Sequence, residues 1–171
     1  MKRIIFIFVH LLFFTSLLSG QDFNQTTIDS KKQDTILIGY CTRTVFSSQP
    51  YSDWFLPEYK SYLPNSEVMS ELKDAVSEEL HIVVVFGSWC SDSKEQLPRF
   101  FTIIDKLSLY DDMIDIIAVD RKKQASDVDM TPYSIEKVPT FIFYKNGKEV
   151  GRIIETPHTT LENDMQLILK K

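Results

Sequence analysis

Trp89-Cys90-Ser91-Asp92-Ser93 follows the run His81-Ile82-Val83-Val84-Val85-Phe86 and opens a stretch with helical spacing. A thiol at such a strand-to-helix junction lies beside unpaired backbone N–H groups and the positive end of the helix dipole, a setting that favours the thiolate. The pentapeptide has the outline of a redox C-x-x-C whose second cysteine is replaced by Ser93.

Working outward, residues 81–86 form a β-branched run without alternation, as expected of a central parallel strand buried on both faces. His81 at its entrance reads as a satisfied structural residue. After the motif, Leu97, Phe100, Phe101, Ile104 and Leu107 mark a helix with Pro98 inside it, where a kink is expected. Ile114 to Val119 gives the next strand, so β, α, β follow in order and imply a parallel pair with a right-handed crossover. A polar connection from Arg121 to Asp129 leads to Val138-Pro139-Thr140. Phe141-Ile142-Phe143-Tyr144, then Lys145-Asn146-Gly147-Lys148, then Glu149 to Ile154 reads as an antiparallel hairpin with Asn-Gly in its tight turn. Thr159-Thr160-Leu161-Glu162 resembles a capping box for a closing helix that buries Leu161, Met165, Ile168 and Leu169.

Upstream of the strand, Met69, Leu72, Val76 and Leu80 share one face of a helix predicted from Ser66 to about Leu80. Between Tyr40 and Tyr62, aromatic residues recur with Pro50 and Pro57 among them. That stretch reads as an irregular layer sealing one side of the core, with a substrate-facing aromatic patch as the alternative. Thr35 to Tyr40 is strand-like, whereas residues 21–34 are polar and read as a flexible leader.

The chain has 171 residues, 43% hydrophobic and 25% charged, enough for one domain with a proper core. Residues 1–20 read as a signal peptide: Lys2 and Arg3 precede an apolar run from Ile4 to Leu18, and Ser19 and Gly20 follow. That run spans roughly 22 Å as a helix, short of the roughly 30 Å hydrocarbon layer, so a cleaved signal is favoured over a membrane anchor. The expected product is exported, periplasmic or secreted. Removing Lys2 and Arg3 takes the formal charge from −5 to −7 with the remaining bases scattered, which argues against nucleic acid as a partner. Two cysteines and three histidines, none at ligand spacing, carry no metal or cofactor signal.

The stretch from Ser66 to Lys171 resembles the thioredoxin-like family. Trp89 before Cys90, Lys94 after the motif, Pro98 eight residues past the cysteine, and Val138-Pro139-Thr140 ahead of the strand and Asn-Gly hairpin carry the resemblance. It implies an α/β, thioredoxin-like fold with a central mixed β-sheet flanked by helices. The N-terminal extension would be aromatic-rich over residues 35–65 and the thioredoxin-like domain would cover 66–171. It also implies a cis-proline, Pro139, facing Cys90, with Val138 offering backbone groups to an extended substrate and Trp89 flanking the thiol. Two departures stand out: Ser93 replaces the second cysteine, and Val84 occupies the place where many thioredoxins bury an acid.

One thiol can attack a disulfide and form a mixed disulfide, but release then needs the substrate's second thiol, a small thiol or Cys41. Ser93 is expected to donate a hydrogen bond to the sulfur anion without being able to resolve it, while Asp92 disfavours the anion. The candidate site is therefore Cys90 and Ser93 for chemistry, with Trp89, Val138 and Pro139 for a protein disulfide or thiol substrate. The competing class is a non-catalytic binding module that recognises an extended chain in the same groove.

Overall fold

The computed structural model describes residues 22–170, so the expected signal segment lies outside the described residues. Among the described residues six strands form one mixed sheet: β1 (Gln25–Ile28), β2 (Thr35–Cys41), β3 (Leu80–Phe86), β4 (Ile114–Ala118), β5 (Thr140–Lys145) and β6 (Lys148–Ile154). Their order across the sheet is β1-β2-β4-β3-β5-β6. The α-helices of the same residues are α1 (Ser52–Ser61), α2 (Ser66–Ala75), α3 (Ser91–Leu107) and α4 (Leu161–Leu169).

β3 sits inside the sheet, parallel to β4 and antiparallel to β5. Every residue of β3 except His81 is buried, as its unalternating apolar run requires. His81 Nε2 lies 3.0 Å from Asp115 Oδ2, a satisfied structural contact. The chain leaves β3, turns through the motif and enters α3, which runs unbroken through Pro98 and ends at Ser108 in the left-handed region (φ 57°). Asn146 and Gly147, with φ of 52° and 72°, close the β5–β6 hairpin as a tight turn needs.

Two hydrophobic clusters lie on opposite faces of the sheet, because successive strand residues point to opposite sides. Ile82, Val84 and Phe86 join the larger one, to which all four helices contribute. Val83 and Val85 join the smaller one with Ile117, Val119, Val138 and Ile142. The helices thus cover one face, and the connection between β4 and β5 covers the other through Ala125, Val128, Met130, Tyr133 and Ile135. That connection is built of turns: Asp120 Oδ1 accepts from the amides of Lys122 and Gln124, and Lys123, Asp127 and Ser134 have positive φ.

The structure corrects four expectations. The leader expected over 21–34 is not wholly flexible within its described residues, since β1 pairs with β2 from Gln25↔Ile38 to Ile28↔Thr35. Its residues are mostly exposed, so order comes from backbone pairing and from polar contacts such as Asn24, whose side chain exchanges two 2.9 Å hydrogen bonds with Thr42. The aromatic stretch is a sealing layer but not an irregular one, because Ser52–Ser61 is helix α1. α2 stops at Ala75 and not near Leu80: Val76 is already extended (φ −74°, ψ 136°), and Leu80 is buried as the first residue of β3. Thr160, not Thr159, caps α4, with its hydroxyl oxygen accepting from the Asn163 amide, while Glu162 accepts from Tyr62 Oη and the Asn65 amide.

Candidate functional site

Cys90 is the N-cap of α3, in extended conformation (φ −93°, ψ 131°), and its side chain is half-buried. Its amide donates to Gly87 O at 2.9 Å and its carbonyl accepts from the Lys94 amide at 3.1 Å, which fixes the turn on both sides of the sulfur. The thiol donates towards Val138 O at 3.3 Å and lies 3.8 Å from Asp92 Oδ2. The Val138–Pro139 peptide is cis. Cys90, Asp92 and the Val138 carbonyl therefore share one spot at the start of a 17-residue helix.

Ser93 is not on the sulfur. It is fully buried, and its Oγ accepts from the Gly87 amide at 3.2 Å. The reason is local: the loop from β3 to α3 leaves the Gly87 N–H buried without a strand partner, and a hydroxyl one turn into the helix satisfies it. The expected Ser93–thiolate contact is absent among the described residues, and the role assigned to Ser93 becomes support of the loop. Val138 is buried, and its carbonyl is engaged by Cys90.

Trp89 is held from three directions. Its indole N–H donates to Val119 O at 2.8 Å. The Arg121 guanidinium lies 4.6 Å above the ring, a cation–π distance. On the third side a Cβ on Gly87 would come within 2.6 Å of the indole, so only glycine lets the ring lie that close. Arg121 is in turn held by Asp29, with Nε and Nη2 donating to the two carboxylate oxygens at 2.7 and 2.8 Å. The Arg121 guanidinium holds the Asp29 carboxyl down at about 2. Asp29 comes from the turn of the β1–β2 hairpin and is 1% exposed.

Neither Asp29 nor Arg121 was expected at the site. Asp29 is one acid among many in a polar stretch, and its partner lies 92 positions away. A positional signal did exist for Arg121, which comes two residues after the last apolar residue of the β4 run and so at the same sheet end as the motif.

Cys41 does not face Cys90. It belongs to the large cluster on the helix-covered face, whereas Cys90 packs against the small one. Both thiols are free. Burial pushes the Cys41 thiol up to about 12, so it stays protonated near neutrality. Among the described residues, no group of three or more His, Cys, Asp or Glu is placed to hold a metal, and no helix is long and apolar enough to cross a membrane.

Comparison with known proteins gives this geometry a context. A thioredoxin from Gallus gallus is 40% identical over 101 residues, covering 58% of this chain and 89% of that protein. The chloroplastic thioredoxin Y of Oryza sativa subsp. japonica is 33% identical over 76 residues, 44% of this chain, and the chain spans only 42% of that relative. The X-ray structure of Fasciola hepatica thioredoxin superposes with a TM-score of 0.35 at 23% identity, covering 59% of this chain and 82% of that one. The family model described as Thioredoxin matches residues 63–167, from just after α1 into α4. With more than half of its length matched, and with its cysteine motif at the head of α3, the chain belongs to the thioredoxin family.

Proposed function

We propose that the protein takes part in thiol–disulfide exchange through Cys90 alone. The Cys90 thiolate attacks one sulfur of a polypeptide disulfide, a Cys90–substrate S–S bond forms, and the other substrate sulfur leaves as a thiolate and takes up a proton. Release follows when a second thiolate, from the substrate or a small thiol, attacks the substrate sulfur and returns the electron pair to Cys90. No net oxidation of the protein results, so isomerisation fits better than net reduction. The observation that carries this reading is the placement of Cys90 Sγ, at the N-cap of α3 and 3.3 Å from the carbonyl of the cis Val138–Pro139 unit. In this proposal Trp89 and Cys90, both part-exposed, face the substrate, while Val138 and Pro139, both buried, fix the wall behind the sulfur. The apolar run after Lys2 and Arg3 supports action after export, in an oxidising compartment where disulfides are available.

The test is to mix the protein with a disulfide-linked peptide, quench with acid and weigh the products. One half-peptide added at Cys90, and none in Cys90→Ser, is the expected result. Ser93→Cys is expected to gain turnover of a protein disulfide, since it supplies a resolving thiol one helical turn away. No adduct at Cys90 and no gain in Ser93→Cys would remove the exchange reading and leave the family fold acting as a binding module.

A further inference from the structure

Beside the motif lies a cavity of about 350 Å³ that the motif alone does not build. One wall is the β1–β2 hairpin, through Lys32 and Asp34; a second is the start of α1, through Tyr51 and Trp54; the third is the motif, through Trp89 and Lys94. Two of these walls lie outside the matched stretch 63–167. Cys90 does not itself line the cavity, which meets the motif through Trp89, the residue before the cysteine, and Lys94, one turn beyond it.

Its charges do not balance. Asp29 also lines it, but both oxygens of that carboxylate are taken by Arg121, which approaches from the β4–β5 connection. Among the described residues neither Lys32 nor Lys94 has a carboxylate within ion-pair distance. Two ammonium groups thus stand against the single uncommitted carboxylate of Asp34, over an aromatic floor. Trp89, held by Val119 and Arg121, is a fixed part of the lining.

We infer that this cavity is a subsite for an acidic stretch of polypeptide next to the cysteine that Cys90 attacks. This rests on the exchange reading above and adds its substrate class. The hairpin thereby acts as a specificity element: it supplies one of the two lysines and, through Asp29, holds the guanidinium that steadies Trp89. The protein's net charge of −5 opposes capture of acidic chains, so a preference for them has to arise locally.

Two disulfide-linked peptides of equal length test this, one with glutamates and one with lysines flanking the cysteine, with the rate of adduct formation at Cys90 read by mass. At low ionic strength the acidic peptide is expected to react about fivefold faster, and 0.5 M salt, an added condition of about 4 Å screening length, should erase most of the difference. Lys32→Glu/Lys94→Glu should invert the preference. Lys94→Gln, which adds no repulsion, should reduce it. Equal rates in the parent protein, a faster basic peptide, or a ratio unmoved in both variants would overturn the subsite while leaving exchange at Cys90 intact. Failure of both peptides and of a neutral disulfide to react would remove the exchange reading itself, and the subsite with it.

Discussion

Cys90 and Cys41 are the same residue type in different physics. Cys41 is 5% exposed, donates to Gly39 O and is held protonated by burial, whereas Cys90 is half-open at a helix start. Iodoacetamide at pH 8 should therefore place one adduct on the native protein, at Cys90, with the second appearing only on unfolding; peptide mapping that finds Cys41 labelled first would contradict this. Gly87 gives a second test at this scale. Gly87→Ala puts a methyl group 2.6 Å from the Trp89 indole, which Val119 and Arg121 leave little room to move. A cost of roughly 1–3 kcal/mol in urea unfolding is expected, with a shifted indole emission measured in a Trp54→Phe background. Among the candidate residues, the positions of Cys90, Trp89, Val138 and Pro139 were legible because local sequence sets them: a strand end, a helix start and an X-Pro loop. The bond that Ser93 makes was not, because the buried N–H of Gly87 competes for its hydroxyl and one-dimensional spacing does not reveal the competition.

At the scale of elements, α1 packs on α3 through aromatic rings. Phe46, just ahead of α1, lies 4.7 Å from Phe55 in a stacked pair and 5.6 Å from Phe86 edge-on, with Phe101 at 6.3 Å. Phe46→Ala removes the ring where helix, helix and β3 meet, and should cost about 3–5 kcal/mol, read from the urea midpoint and slope. A loss below 1 kcal/mol would mean that the layer is not part of the core. β3, the β5–β6 hairpin and α4 were legible as elements because burial imposes periodicity or Asn-Gly imposes a turn. The edge strand β1 was not, since it presents polar side chains and owes its order to a backbone ladder with β2. Leu80 misled for a related reason: its apolar side chain fits the helix period before it and the strand after it.

Over the whole molecule, carboxylates tie distant parts of the chain together. Asp29 joins the hairpin to the β4–β5 connection, and Glu162 joins α4 to Tyr62 and Asn65. Burial pushes the Glu162 carboxyl up, but hydrogen bonds from Tyr62 and Asn65 outweigh it and leave it below its usual range. For Asp29 the ordinary value of 3.8 falls to about 2, chiefly through Arg121. Acids held down in the folded state contribute stability that is complete above their unfolded value and is lost as pH falls through the folded one. The urea midpoint should thus drop between pH about 4 and about 2, and Asp29→Asn should flatten part of that drop; an unchanged slope would mean that the ion pair does not contribute. Cys41 has the opposite sense in alkali, where stability should fall as pH rises from 9 towards 12.

Cys41 lies inside the cluster under the helices, whereas Cys90 packs against the cluster on the other face, with β3 and β4 between the two. A polypeptide tethered to the outer sulfur cannot be cut loose by the inner one while the sheet is intact. How long such a tether lasts is then decided from outside, by the supply of free thiol in the surroundings and on the captive chain itself.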